Sequence, residues 1–280
     1  MKATAEESIQ RQLFVLNRSV LDNAEDYARL LELERGWITS LLSEHEARSP
    51  RFSSRPELMQ ALDEMLKHEE NNPTESAIFL AEHATREQFR KVVQQFAVDG
   101  LTEAQSFFPI IMRLPARAQM PMMRIVIDEF GCGNPEQAHS LLYQELLAEL
   151  ALPPDCDSYL PLTNDESFAF VNIFYWMAHR ARHPEYFLGA LTYLENSIPY
   201  AFASFAQACH RLGVSKHHYY TEHLHIDGFH ARETRNVLRE LDTHGGLNCT
   251  SAWIGMQVAS LLVGRALDAA VASALRSDPE

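Results

Sequence analysis

Ser215-Lys-His-His-Tyr-Tyr-Thr-Glu-His-Leu-His-Ile-Asp-Gly-Phe-His-Ala-Arg-Glu233 is the most informative stretch of the sequence. It holds two interleaved sets of metal-ligand type: His223, Asp227 and His230, and, one face over, His218, Glu222 and His225. At about 100° per residue, His223, Asp227 and His230 fall within roughly 60° of one another on a helix. The two frames separate further along the chain. The first continues through Thr234, Val237, Leu238 and Leu241, a core-facing stripe; the second runs into Arg232, Glu233, Asn236 and Glu240, a solvated face. A carboxylate buried between two histidines is costly unless a metal or hydrogen bonds compensate it. Two imidazoles and a carboxylate on one face suit Fe(II), Mn(II) or Zn(II). The alternative is a hydrogen-bonded polar cluster inside a bundle. The first frame is therefore the candidate site, and His218, Glu222 and His225 are expected at the surface.

Working outward, apolar residues recur at spacings of three and four, and no run alternates as a strand would. Turn signals at Ser49-Pro50, Asn71-Asn72-Pro73, Asp99-Gly100, Gly131-Cys-Gly-Asn-Pro135, Pro153-Pro154-Asp155, Gly213 and Gly245-Gly246 divide the chain. This predicts an all-α protein of about eight to ten helices. Residues 1–280 read as one helical domain, with 1–70 as a helical extension packed on the bundle and 85–245 as the metal-binding core.

Composition narrows the class. Of 280 residues, 46% are apolar, enough for a substantial core, and the formal net charge is −14. That charge argues against nucleic acid and against an anionic membrane surface as partners. Cys132, Cys156, Cys209 and Cys249 are scattered without a C-x-x-C pair, which fits reduced thiols. The first residues are charged throughout and carry no apolar leader, and the apolar stretch from Ala252 to Gly264 contains Gln257 and is short for a bilayer span. The expected location is cytoplasmic, with no membrane partner.

Further ligands have to come from other helices. Asn134-Pro135 is a helix start, with Asn134 as N-cap and Pro135 at N1. His139 follows, heading an apolar stripe of Leu142, Tyr143, Leu146, Leu147 and Leu150, so it points into the core. Glu129 sits near the C-terminus of the preceding helix, where the macrodipole disfavours negative charge; an acid there suggests a ligand. Glu136 is the alternative, although a first-turn glutamate already has a capping role. Upstream, Glu103 opens a short helix whose face carries Phe107, Ile110 and Ile111.

Glu129-Phe-Gly-Cys-Gly133 followed by His139, together with Tyr219-Tyr220-Thr-Glu-His223-Leu-His-Ile-Asp227-Gly-Phe-His230-Ala, resembles the haem-oxygenase-like di-iron oxidases and oxygenases. The likeness runs from about Glu103 to Leu241 and includes the helix from Phe168 to Arg182 and the segment Gly189 to Glu195. It implies a haem-oxygenase-like helical bundle. It also implies a metal set of Glu103, Glu129, His139, His223, Asp227 and His230, because Glu103 lies at the family's distance upstream of His139. Glu195 is placed for an extra carboxylate. The implied cofactors are two iron ions cycling between Fe(II) and Fe(III), with O2 as co-substrate and an external electron donor such as a reductase. The implied reactions on a small-molecule substrate are N-hydroxylation, C–C cleavage or decarboxylation. Substrate choice is expected to depend on Asn172 to His179, with Arg180 and Arg182 at the surface, and a homodimer is the candidate assembly.

Two other classes remain in view. An iron-free, thiaminase-like enzyme on this fold would use a nucleophilic cysteine, but only Cys132 lies near the ligand segments. A non-enzymatic interaction protein would take up no metal and would expose an apolar patch.

Overall fold

The computed structural model describes residues 8–276, except for the side chains of Ile226 and Asp227. Its described residues form thirteen α-helical segments and no strand. The first are α1 (Ile9–Arg18), α2 (Ala24–Glu46), α3 (Arg55–Asn71), α4 (Glu75–Ile78) and α5 (Arg86–Gln95). Then come α6 (Ala97–Gly100), α7 (Phe108–Ile111), α8 (Ala116–Glu129) and α9 (His139–Glu149). The last four are α10 (Asp165–His179), α11 (Glu185–Leu212), α12 (His218–His244) and α13 (Cys249–Arg276). Segments α4, α6 and α7 are single turns, α7 being what forms of the short helix expected to open at Glu103. With them the count exceeds the eight to ten helices the sequence predicts.

Local chemistry sets the ends. The Ser54 hydroxyl accepts from the Glu57 amide to open α3, and Thr85 with Gln88 forms a reciprocal capping box at α5. Gly213 closes α11 at φ 67°, a conformation open to glycine at little cost. Arg113 donates to the Met177 and Ala178 carbonyls at 2.9 and 2.8 Å, satisfying the end of α10.

The centre of the bundle is α11, packed along α13 on one side and α12 on the other. The α11–α13 crossing is backbone against backbone. A Cβ on Gly189 would lie 1.9 Å from the Ala252 carbonyl oxygen, and one on Gly255 would lie 2.0 Å from that of Tyr186. By length and composition α13 could cross a membrane. Here it packs on α11, α10, α5 and α2.

The N-terminal helices dock on this bundle, α1 against α10, α2 against α13, and α3 against α11, α12 and α13. Their polar anchor corrects the sequence reading. Arg180, expected at the surface, is half-sunk against the buried Glu34, its Nε 2.9 and 2.8 Å from the two carboxylate oxygens. Burial raises the Glu34 pKa, and Arg180 opposes that rise. Asn172 is likewise taken up by α1, donating to the Gln10 carbonyl at 2.7 Å. Arg182 is exposed, as expected.

Two stability experiments follow from these contacts. Gly255→Ala should lower the denaturant midpoint, with a loss of about 1–3 kcal/mol from overpacking at the crossing. Arg180→Leu should cost about 3–5 kcal/mol by stranding Glu34, and the pair Glu34→Leu with Arg180→Leu should recover most of it. If the double variant is no more stable than the single one, the two residues do not act as a buried pair.

Candidate metal centre

The loop after α8 brings the first two acids and imidazoles together. Gly131, Cys132 and Gly133 all have positive φ (63°, 52° and 85°), so the chain reverses tightly, and Phe130 bridges back to Ala138. At Gly131 a Cβ would lie 2.6 Å from the Ala138 nitrogen, so glycine is required there. Asn134 caps only a 3-10 turn, Pro135–Gln137, and α9 begins at His139 itself. The last residue of α8 and the first of α9 therefore meet: Glu129 Oε2 lies 2.8 Å from His139 Nδ1, both side chains buried.

On α12 the first frame faces inward and the second does not. His223 and His230 are buried, as are Thr234, Val237, Leu238 and Leu241. His218 and His225 are exposed, and His218 pairs with Glu222 at 3.5 Å. One residue departs from expectation: Glu233 is buried, because Arg124 on α8 reaches it at 3.1 Å. Asp227 follows His223 by one turn of the same helix, and its side chain lies outside the described residues.

The imidazoles converge with carboxylates in two groups that share Glu129. Ligand-type atoms of Glu103, Glu129, His139 and His223 lie within 4.8 Å of one another, and so do those of Glu129, Glu195 and His230. His223 Nε2 is 3.1 Å from Glu103 Oε1, and the His139 and His223 rings are 4.2 Å apart. His230 Nδ1 is 3.1 Å from Glu195 Oε2 and 3.4 Å from Glu129 Oε1. Glu136 sits exposed on its 3-10 turn, outside both groups. Glu103 arrives from a turn, not from the helix expected of it; Ala104 beside it is left-handed at φ 60°.

Three observations fit this cluster to metal ions. First, the outer nitrogen of each α12 histidine is already engaged. His223 Nδ1 is 2.7 Å from the Tyr219 carbonyl, and His230 Nε2 is 2.9 Å from Asp128 Oδ2. Such partners hold the N–H outward and leave the inner nitrogen as a lone pair, the usual second layer around a ligating histidine. Second, Glu129 Oε2 and His139 Nδ1 lie 2.8 Å apart, both shielded from water, and Glu103 Oε2 is buried without a partner. Third, the acids favour positive charge at the rings, whether a proton or a metal ion supplies it. Burial lowers the His223 pKa, yet Glu103 and Glu129 carry it up to about 9; for His230, Glu195 and Asp128 overcome burial and carry it to about 11. Burial acts to raise Glu129, but His139, His230 and His223 outweigh it and hold the carboxyl low.

A cavity of about 360 Å³ opens onto this cluster, lined by residues of α3, α6, α10, α11, α12 and α13. From α10 it receives Phe170, Val171, Phe174 and Tyr175, so neither Asn172 nor Arg180 reaches it. Sequence reasoning also missed Asp99, read only as part of an Asp-Gly turn. It lies half-buried on the cavity wall, where desolvation, Glu103 and Glu129 push it up to about 8 against the pull of His223. Asp128 was missed as well; its adjacency to Glu129 and its position beside an α12 histidine could not be read without the fold.

A family model described as iron-containing redox enzyme matches residues 90–262, more than half of the chain and the whole of the cluster. The chain belongs to this family of iron-containing redox enzymes. Its described residues share a haem-oxygenase-like fold with a domain of unknown function from Shewanella denitrificans OS217, at a TM-score of 0.60 and 17% identity, covering 80% of this chain and 94% of that one. Nitrosourea synthase from Streptomyces achromogenes subsp. streptozoticus is 29% identical over 185 residues, 63% of this chain. The match spans only 38% of that relative's length.

Asp128→Asn tests the tautomer argument. The amide can no longer accept with a full negative charge from His230 Nε2–H, so metal affinity should fall about 10- to 100-fold with the thermal midpoint little changed. Unaltered metal retention in a competition with a chelator would remove Asp128 from the centre.

Proposed function

We propose that this family member is a non-haem di-iron oxidase or oxygenase that activates O2 to oxidise a small organic substrate. The observation carrying the reading is the shared Glu129, whose two oxygens face separate histidine and carboxylate groups, Oε2 toward His139 and Oε1 toward His230. In this reading Glu129 would serve both irons. Glu103, His139 and His223 would hold one, and His230 with Glu195 the other, with Asp227 on the same helix as a further candidate.

Two Fe(II) ions, when bound, can each give O2 one electron, and an external donor such as a reductase restores them. The chain's own residues do the rest. The outward bonds of His223 to the Tyr219 carbonyl and of His230 to Asp128 hold both rings at fixed tautomers. Tyr219 donates its hydroxyl to Glu103 at 3.2 Å and steadies that carboxylate. The apolar cavity walls keep bulk water from the reacting end of the substrate. Among N-hydroxylation, C–C cleavage and decarboxylation, likeness to a nitrosourea synthase supports oxidation at nitrogen.

Oxygen-free titration with Fe(II) should show close to two equivalents bound per chain, followed on admitting O2 by a transient visible band. His223→Ala and Asp227→Asn should each lose iron and the band while retaining helical circular dichroism. A folded protein that takes up no iron would end the di-iron reading.

A further inference from the structure

One end of the cavity is the carboxylate–histidine cluster, and exposure marks the other. Among the described residues that line it, the exposed ones are Glu70, Asn72, Pro73 and Thr74, all on the corner between α3 and α4. The mouth therefore lies under this corner. Whatever reaches Glu103, Glu129 and His223 through the cavity passes beneath it.

The corner is fastened to the bundle on both sides of the mouth. Before it, the half-buried carboxylate of Glu69 accepts three hydroxyls. Tyr193 at 2.7 Å and Tyr200 at 2.6 Å come from α11, and Ser260 at 2.9 Å comes from α13. After it, the Ser76 hydroxyl donates to Asp268 of α13 at 2.5 Å. Between these ties the side-chain bonds are local. The Asn71 and Asn72 amides return to the Lys67 and His68 carbonyls, and the Thr74 hydroxyl accepts from the Ala77 amide. Asn71 to Glu75 are all exposed, so lifting them uncovers no core.

The chain just beyond is built to give. Phe79–His83 is a π-helical turn, closed by the Ala84 amide on the Phe79 carbonyl at 2.8 Å. Such turns are rare and cluster at functional sites. Arg211 of α11 fixes the far side of the turn, donating to the Leu80, Ala81 and Ala84 carbonyls at 3.2, 2.9 and 2.8 Å. The near side carries the corner.

We propose that residues 69–76 form a strap over the cavity mouth, latched by Glu69 and by Ser76 on Asp268, which lifts about the π-helical turn to pass small molecules. Hydroxyl-to-carboxylate bonds are charge-assisted, and Glu69 with three of them is the stronger latch. The strap rests on the oxidase reading only for the identity of what passes.

The test follows the labelling of a thiol inside the cavity by N-phenylmaleimide, a neutral ring-sized probe, in metal-free protein. Val171→Cys places the reporter on the buried cavity wall, in a chain also carrying Cys156→Ser and Cys249→Ser. Cys209, buried but outside the cavity lining, reports general loosening, and Cys132 is the exposed reference. Peptide masses separate the three. Glu69→Ala should speed labelling of the reporter at least about 10-fold, as loss of a charge-assisted bond implies. Asp268→Ala should give a smaller rise, Glu69→Gln an intermediate one, and the Glu69→Ala, Asp268→Ala pair the largest, each with Cys209 unchanged. Arg180→Leu, which loosens the fold away from the mouth, should not favour the reporter over Cys209. An unchanged rate in the folded double variant would overturn the proposal, as would an equal rise at Cys209. A reporter that reacts as fast as Cys132 before any latch is cut would overturn it too. The protein is free of metal throughout, so a failed strap leaves the di-iron reading standing, and failed iron uptake leaves the strap standing.

Discussion

Glu129 is buried among three imidazoles at the C-terminal end of α8, where both desolvation and the helix dipole oppose its charge. Imidazoles can compensate it only by donating protons toward it or by sharing a cation with it. Donation is restricted, because His223 and His230 already direct their other nitrogens at the Tyr219 carbonyl and Asp128. Either each ring carries an extra proton or positive ions lie between the rings and the acids. The arrangement around Glu129 serves that requirement. A left-handed loop brings α9 back so that His139 is its first residue, α12 turns one face inward, and α11 contributes Glu195 from the opposite side.

How much of this the sequence revealed depends on the range of each interaction. The inward face of α12 was legible because a stripe of period 3.6 continues past the histidines into Val237, Leu238 and Leu241. Glu129 was preferred to Glu136 because an acid at a helix C-terminus opposes the dipole whereas one in a first turn does not, and of the two Glu129 is the buried one. Glu233 misled because its partner, Arg124, comes from another helix. Arg180 misled for the same reason, Glu34 being distant in sequence. Glu103 was expected on a helix because its neighbours are apolar at helical spacing; nothing in an alanine announces the left-handed turn at Ala104. Asp99 stayed hidden because Asp-Gly reads as a turn wherever it falls, and only packing reveals which turn borders a cavity.

The helices that carry no ligand still govern the site. Gly189 and Gly255 let α11 and α13 approach until backbone meets backbone, and that spacing fixes where the next turns of α11 place Tyr193 and Glu195. Tyr193 reaches out to Glu69 on α3, and Glu195 reaches inward to His230. A single stretch of helix thus ties α3, the cavity wall and the carboxylate–histidine cluster together, and Glu69 and Glu70 of α3 line the cavity.

The same continuity joins the cavity's inner wall to a ligand. Gly100 leaves room for the Tyr143 ring, since a Cβ there would lie 2.6 Å from it. Tyr143 is pinned by its hydroxyl to the Val93 carbonyl at 2.7 Å and presents its ring to Tyr219. Tyr219 in turn offers its hydroxyl to Glu103 and its carbonyl to His223. Tyr143 and Tyr219 therefore stand on the cavity wall beside Glu103 and His223, which line it as well. The packing thus links the Glu103 and His223 pair to the cavity wall through two tyrosines and the glycine behind them.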